Sequence, residues 1–204
     1  MSGVRFRGAA AGFVTESTAV THAVPERFTD RWRNRPEPLS GRGTVYWHVL
    51  IGSESDLGRA VRGAQAAVGG SHRLHLTPPG RLHMTVLRAA HLDDALGARM
   101  TELAEAARDG LADVAPIPVT AGQVLYHQEG IVLRVRPRRA LLPLHLAAVA
   151  ATTAVTGHPP AADETGDLWV PHVTLHRPRG ERGRPGGTAA SGRGIHAADG
   201  LFSA

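Results

Sequence analysis

The amino-acid sequence predicts an α+β fold made of two similar halves. Segments of alternating apolar and polar residues, typical of strands, occur in both halves, and each half also contains helix-forming segments. In each half the order is strand, helix, then a strand with the pattern apolar–His–apolar–Thr–apolar. We therefore expect a pseudo-duplicated, two-lobed protein with a small antiparallel sheet in each lobe and helices outside. The two His-x-Thr strands are expected to face each other across a central cleft.

The first half begins with a strand and a helix. Residues 44–51 (TVYWHVLI) are rich in β-branched and aromatic residues, which favour a strand. Residues 57–68 predict a helix, because Ser55 or Asp56 is a suitable N-terminal cap and Gly69 is a suitable stop.

The first half continues with two strands and a second helix. A short strand is expected at 73–76, a Pro-Pro-Gly turn at 78–80 and the first His-x-Thr strand at 81–88. A helix is expected from Asp93 or Asp94 to about residue 108. It is indicated by apolar residues at spacings of three and four: Leu96, Met100, Leu103 and Ala107.

The second half repeats this order. A strand is expected at 117–127, with a bulge near Ala121, and another at 130–136 after a short turn. A helix follows from Pro137 to Val155. The second His-x-Thr strand is expected at 169–176.

Composition and charge divide the chain into a central domain and two arms. We expect a flexible N-terminal arm at 1–29, a domain at 30–178 and a disordered Arg/Gly-rich tail at 179–204. The domain is expected to form lobes at about 44–112 and 116–178. All 23 basic residues are arginine, and the excess positive charge lies in the arms. That excess indicates either phosphate attraction or simply solvated ends.

Several classes of protein are not indicated by this composition. The chain has no cysteine, so it offers no disulfide, thiol nucleophile or thiolate metal site. We expect no membrane-spanning segment, because no run approaches 18 apolar residues, and no secretory signal. These observations predict a cytoplasmic protein, and nothing indicates an obligate protein partner.

Two short segments carry the residues with the clearest chemical potential. They are residues 82–86 (LHMTV) and 171–175 (PHVTL). Since residues i and i+2 of a strand point to the same face, each segment presents one imidazole and one hydroxyl together. Two such strands facing each other would supply two His and two Thr to one cleft, which suits phosphodiester chemistry without a metal.

The sequence contains a third His-x-Thr triplet, so the number of triplets must be compared with the number expected by chance. With 12 His and 15 Thr in 204 residues, about one such triplet is expected at random. The third, His75-Leu76-Thr77, runs directly into Pro78-Pro79, and proline cannot donate to a β-ladder. We therefore interpret His75 as a structural residue at a strand end.

The paired motifs and their surroundings resemble those of a known family. The segments 79–85 (PGRLHMT) and 171–175 (PHVTL), 89 residues apart by their histidines, are similar to the motifs of the 2H phosphoesterases. The resemblance is to the bacterial proteins called 2′-5′ RNA ligase or RNA 2′,3′-cyclic phosphodiesterase. Arg35-Pro36 followed by Tyr46-Trp47-His48 resembles the entry segment of one branch, and the resemblance covers about residues 30–176.

The resemblance implies a specific chemistry. His83 and His172 would act as general acid and base on a 2′,3′-cyclic phosphate, each worth roughly 10²–10⁴-fold in rate. Thr85 and Thr174 would donate hydrogen bonds to the phosphate oxygens. The substrate would be an RNA end or a small cyclic nucleotide, the reverse reaction would be 2′-5′ ligation, and no cofactor or metal would be required.

Four further residues are candidate substrate contacts. Arg81 precedes its motif on the same face, His48 shares a face with Tyr46 on the first strand, and Tyr126 closes a strand where it would stack on a base. His176 is expected on the face of His172 and Thr174. Each of these residues also has a plain structural interpretation in the strand that contains it.

Two other functions remain open at this stage. A metal hydrolase is one, although no His-Glu-x-x-His motif occurs and no carboxylate adjoins either His-x-Thr motif at ligand spacing. The other is a non-catalytic protein that binds RNA or nucleotide phosphate in a degenerate cleft. RNA ends, tRNA fragments, cyclic nucleotides and ADP-ribose-type cyclic phosphates all fit two His and two Thr.

Overall fold

The computed structural model describes Phe28 and residues 43–69, 74–127, 129–160 and 169–178. The predicted C-terminal tail and all of the predicted N-terminal arm except Phe28 lie outside the described residues. So do Arg35 and Pro36 of the family resemblance.

The described residues form six strands and four helices. The strands are β1 (Thr44–Leu50), β2 (Leu74–Leu76), β3 (His83–His91), β4 (Thr120–His127), β5 (Gly130–Arg136) and β6 (His172–Pro178). The helices are α1 (Asp56–Val68), α2 (Asp94–Ala98), α3 (Met100–Gly110) and α4 (Arg138–Thr156), with a single 3₁₀ turn at Pro79–Arg81. This confirms the α+β class.

All six strands belong to one antiparallel sheet. Its order is β1-β3-β6-β5-β4, and β2 pairs with the far end of β6, on the edge that β3 also uses. The structure therefore does not confirm two separate small sheets, and the His-x-Thr strands β3 and β6 are neighbours rather than strands facing across a gap. Strands β3 and β6 meet at one residue pair, Met84 and Val173, close to the His-x-Thr residues of both strands.

The helices cover one face of the sheet and cross between the halves of the sequence. Helix α1, from the first half, packs on β4 and β6, whereas α4, from the second half, packs on β3 and α3. Helix α1 begins at the Ser55 cap, whose hydroxyl accepts a hydrogen bond from the Gly58 amide, and Asp93 caps α2 in the same way. The core between helices and sheet contains Leu103, Leu141 and Leu175, all nearly inaccessible to solvent.

The predicted helix from residue 93 to 108 is interrupted. The chain turns at Arg99, where the amide bonds to the Leu96 carbonyl in a 3₁₀ manner, so that α2 and α3 are separate. Gly97 weakens this part of the helix, and the Arg99 guanidinium binds both Glu102 and the Val155 carbonyl at the end of α4. Arg99, at the break, therefore links the start of α3 to the end of α4.

Helix α4 has the length of a membrane-spanning segment. By length and composition alone it is apolar enough to cross a membrane. In the fold it is a core helix: eight of its residues are buried, among them Leu144 and Ala151. Its Thr152 hydroxyl accepts a hydrogen bond of 3.0 Å from the Trp47 indole on β1. The apolar composition of α4 is therefore accounted for by packing inside the domain.

Candidate functional site

The two His-x-Thr motifs lie next to each other in the sheet. Strands β3 and β6 run antiparallel and pair at Met84 and Val173, whose side chains point into the core. The flanking residues His83 and Thr85 on β3 are only half-buried, as are His172 and Thr174 on β6. Both motifs thus present their polar residues on the face of the sheet opposite the core.

The register places each histidine level with the threonine of the other motif. Because Met84 pairs with Val173 in an antiparallel ladder, His83 is level with Thr174, and Thr85 is level with His172. The two histidines are therefore diagonal neighbours, a position that in a regular pair separates residues by about 7–8 Å. This spacing leaves room for one small group between the imidazoles.

The two imidazoles are held in the same way. The Nδ1 of His83 lies 2.8 Å from the Arg81 carbonyl oxygen, and the Nδ1 of His172 lies 2.8 Å from the Val170 carbonyl oxygen. A carbonyl oxygen only accepts, so Nδ1–H is the donor in both rings. Each neutral ring therefore carries its basic lone pair on Nε2, which fixes both the tautomer and the ring orientation.

A third imidazole extends the site along β1. The ring centroids of His48 and His83 are 4.2 Å apart, and the Tyr46 ring also stacks on His48, with centroids 5.5 Å apart. In the β1–β3 ladder, His48 pairs with Thr85. His48 therefore lies beside His83 on the face of the sheet that carries the motifs, and its role as a substrate contact stays a prediction.

Trp169, predicted only as the first residue of a strand, links the two motifs. Its indole N–H donates to the Thr85 carbonyl at 3.2 Å, and its ring stacks on His145 of α4 with centroids 4.6 Å apart. His145 in turn donates from Nδ1 to the Val86 carbonyl at 2.9 Å. Trp169 lies three residues before His172, so the approach to one motif is anchored to the backbone of the other.

Two arginines on β5 were also missed. Arg134 pairs directly with His172, and Arg136 follows two residues later on the same face. The signal was present in the segment IVLRVR of residues 131–136, whose alternation buries Leu133 and Val135 and turns both arginines the other way. Recognising their importance required knowing that β5 lies beside β6.

The strand residues on the exposed face of the sheet include arginines but no acidic residues. None of the six described strands contains Asp or Glu, whereas Arg88, Arg134 and Arg136 lie on the face that carries the motifs. The carboxylates of the described residues belong to helices and loops. A negatively charged ligand therefore meets no acidic strand residue here.

The remaining candidates are placed differently. Arg81 lies in the 3₁₀ turn before β3, with an exposed side chain and its carbonyl bound to His83. Tyr126 pairs with the buried Ile131 and packs against the core, on the opposite face from the motifs. Our interpretation of Tyr126 as a stacking residue in the site is therefore corrected. The third triplet lies on β2 and in the turn after it, where the Thr77 amide bonds to the Leu175 carbonyl.

His176 is also on the other face, because β6 contains a bulge. Val132 pairs with Thr174 but the adjacent Ile131 pairs with His176, so one additional residue of β6 lies between these pairs. The bulge reverses the alternation, and the His176 side chain is only 2% exposed. The expectation that His176 shares the face of His172 and Thr174 is therefore wrong.

Burial makes His176 a source of pH-dependent stability. Desolvation lowers its pKa below the ordinary value, and its Nδ1 has no hydrogen-bond partner among the described residues. The unfolded chain therefore takes up a proton near pH 6.5 that the folded chain resists. It follows that the free energy of unfolding falls as the pH drops below about 6.5, by up to about 1.4 kcal/mol per pH unit.

We expect His176→Leu to reduce this pH dependence. Urea unfolding of wild type and variant between pH 5 and pH 8 measures the difference in slope, and His75→Gln, at an exposed position on the neighbouring strand, is the matched control. Equal slopes for wild type and His176→Leu would contradict the assignment.

Within the described residues, no three His, Asp or Glu side chains gather as a set of metal ligands. The described part of the site consists of imidazoles, hydroxyls and guanidinium groups. These groups suit proton transfer and anion binding.

Comparisons with known proteins give little further information. No protein-family profile matches the chain, and no curated protein matches it. Among solved structures, the crystal structure of TT0787 of Thermus thermophilus is similar, with 17% sequence identity and a TM-score of 0.48. The similarity covers 69% of this chain and 77% of that chain. A likeness this remote assigns neither a family nor an activity.

Proposed function

We propose that the protein is a metal-independent phosphodiesterase of the 2H type that hydrolyses 2′,3′-cyclic phosphates at RNA ends or in related cyclic nucleotides. One observation carries the proposal: two His-x-Thr motifs lie on adjacent strands, and each histidine donates Nδ1–H to the carbonyl two residues before it. This matched arrangement presents two Nε2 atoms as a proton donor and a proton acceptor around one small group.

The chemistry divides into two proton transfers. One Nε2 accepts a proton from the attacking water as its oxygen bonds to phosphorus. The other Nε2, protonated beforehand, donates its proton to the ribose oxygen as the P–O bond breaks. The product is a ribose with one free hydroxyl and one phosphate monoester. The diagonal placement of His83 and His172 suits groups that act on opposite sides of one phosphorus atom.

The threonines and the charge of the sheet serve the phosphate itself. The Thr85 and Thr174 hydroxyls lie on the same face as the imidazoles, where each is a donor for a non-bridging oxygen. The carboxylate-free strands add no repulsion to the developing charge. By microscopic reversibility, a 5′-hydroxyl RNA end in place of water gives a 2′-5′ linkage, although excess water favours hydrolysis.

The test is turnover by the wild-type protein in EDTA. A 2′,3′-cyclic mononucleotide and an oligoribonucleotide ending in a 2′,3′-cyclic phosphate are the substrates, and a 3′,5′-cyclic mononucleotide is the control. We expect linear phosphate monoesters from the first two at undiminished rates in the chelator. Activity that EDTA abolishes would favour a metal hydrolase. Binding of the cyclic phosphates without turnover would identify a non-catalytic phosphate-binding protein.

A further inference from the structure

Strand β5 carries two cations beside the proposed reaction site. Arg134 pairs directly with His172, and directly paired residues have Cβ atoms about 4.5–5.5 Å apart. Arg136 lies two residues further on the same face, and its guanidinium donates to the Gln123 side-chain oxygen at 3.2 Å. A ligand held by His172 therefore has two arginines within reach of its far side.

The environment of Arg134 indicates that an anion belongs there. Its side chain is half-buried, and it has no hydrogen-bond or ion-pair partner in the part of the chain that the structure describes. A guanidinium group stays charged at all ordinary pH values. Partial burial of an unpaired charge is unfavourable, so a bound anion would relieve this cost.

The position of these arginines separates them from the reacting phosphate. A group between His83 and His172 lies over the junction of β3 and β6. Strand β5 lies on the other side of β6, about 4.8 Å further away. We propose that Arg134 and Arg136 form a second anion site, which binds a phosphate other than the one that reacts. The location of the reacting phosphate rests on the proposed function.

The second site defines the class of substrate. Residues i and i+2 of a strand are about 6.6 Å apart, so the two arginines form a short row along β5. Such a row suits an extended anionic chain. The ligand is therefore a cyclic phosphate that carries at least one further phosphate, either the phosphodiester of an RNA end or the diphosphate of an ADP-ribose-type compound. A cyclic mononucleotide lacks this second group.

The experiment compares substrates that have one or two phosphate positions. Values of kcat/KM are measured on a 2′,3′-cyclic mononucleotide, on a dinucleotide ending in a 2′,3′-cyclic phosphate and on an ADP-ribose cyclic phosphate. We expect the wild type to prefer a substrate with the second position. Arg134→Gln and Arg136→Gln should each reduce that preference about tenfold. The substrate whose kcat/KM falls more in these variants identifies the source of the second phosphate.

A matched control and a binding measurement make the outcomes distinct. Arg108→Gln, with the same change of charge at an exposed position of α3, should leave the preference unchanged. An equal reduction of kcat/KM on all substrates, or no reduction, would overturn the second site while the proposed function stands.

If the wild type turns over no substrate, the proposed function fails. Fluorescence anisotropy with a labelled dinucleotide then decides the site: about tenfold weaker binding by the variants supports it, and unchanged binding overturns it.

Discussion

Replacing His83 or His172 by alanine is expected to lower kcat on a 2′,3′-cyclic nucleotide by roughly 10²–10⁴-fold. Each substitution removes one of the two proton transfers, while Thr85 and Thr174 remain to bind the reacting phosphate. We therefore expect KM to change much less than kcat. Steady-state kinetics on the two single variants and the double variant measure this directly.

The double variant provides the sharper comparison. If the histidines act in one concerted step, removing the second costs much less than removing the first, because the remaining group has no partner. His158→Ala, at an exposed position after α4, is the control for a general effect of losing an imidazole. A variant of either motif histidine that keeps the wild-type kcat would contradict the acid–base assignment.

A large loss of stability is expected for Gly130→Ala, at the start of β5. The Gly130 backbone has φ +152°, which residues with a side chain rarely adopt, and a Cβ there would lie 2.5 Å from the His176 carbonyl oxygen. That oxygen belongs to the backbone of β6 and moves only if the two strands separate. We expect the substitution to lower the free energy of unfolding by roughly 2–3 kcal/mol.

A glycine-to-alanine substitution in α1 should change the free energy of unfolding in the opposite direction. Gly63 lies in the exposed middle of α1, and a Cβ there meets nothing within 4 Å. Because alanine favours helix over glycine, Gly63→Ala is expected to raise the free energy of unfolding by about 0.5–1 kcal/mol. Urea unfolding of both variants tests the pair. Equal stability of wild type and Gly130→Ala would show that β5 and β6 are not held as closely as described.

Local features of the sequence were enough to place most elements. The predicted strands at 44–51 and 130–136 match β1 and β5, and the N-terminal cap at Ser55 or Asp56 and the stop at Gly69 give α1 to within one residue. Such signals depend on neighbours a few positions away, so they are present in the chain itself. The same holds for each His-x-Thr pair, because alternation alone puts His83 and Thr85 on one face.

Contacts between segments far apart in the sequence could not be predicted from such local signals. Nothing in the order of elements indicated that β3 and β6 join one sheet, that helices α1 and α4 cross between the halves, or that β6 bulges before His176. The bulge shows the reason most clearly. Alternation predicts that His172, Thr174 and His176 lie on one face of β6. In the pairing with β5, one additional residue of β6 lies between Thr174 and His176, so the His176 side chain turns inward.

By itself, the chain specified an α+β protein, its strands and helices, and two histidine–threonine pairs each fixed to one face of a strand, because all of these follow from spacing over a few residues. The fold added the adjacency of the motifs through the Met84–Val173 pair, the approach of Arg134 to His172 and the removal of Tyr126 and His176 from the site. Those outcomes depend on strand register, which is set by packing between residues far apart in sequence and has no local signal.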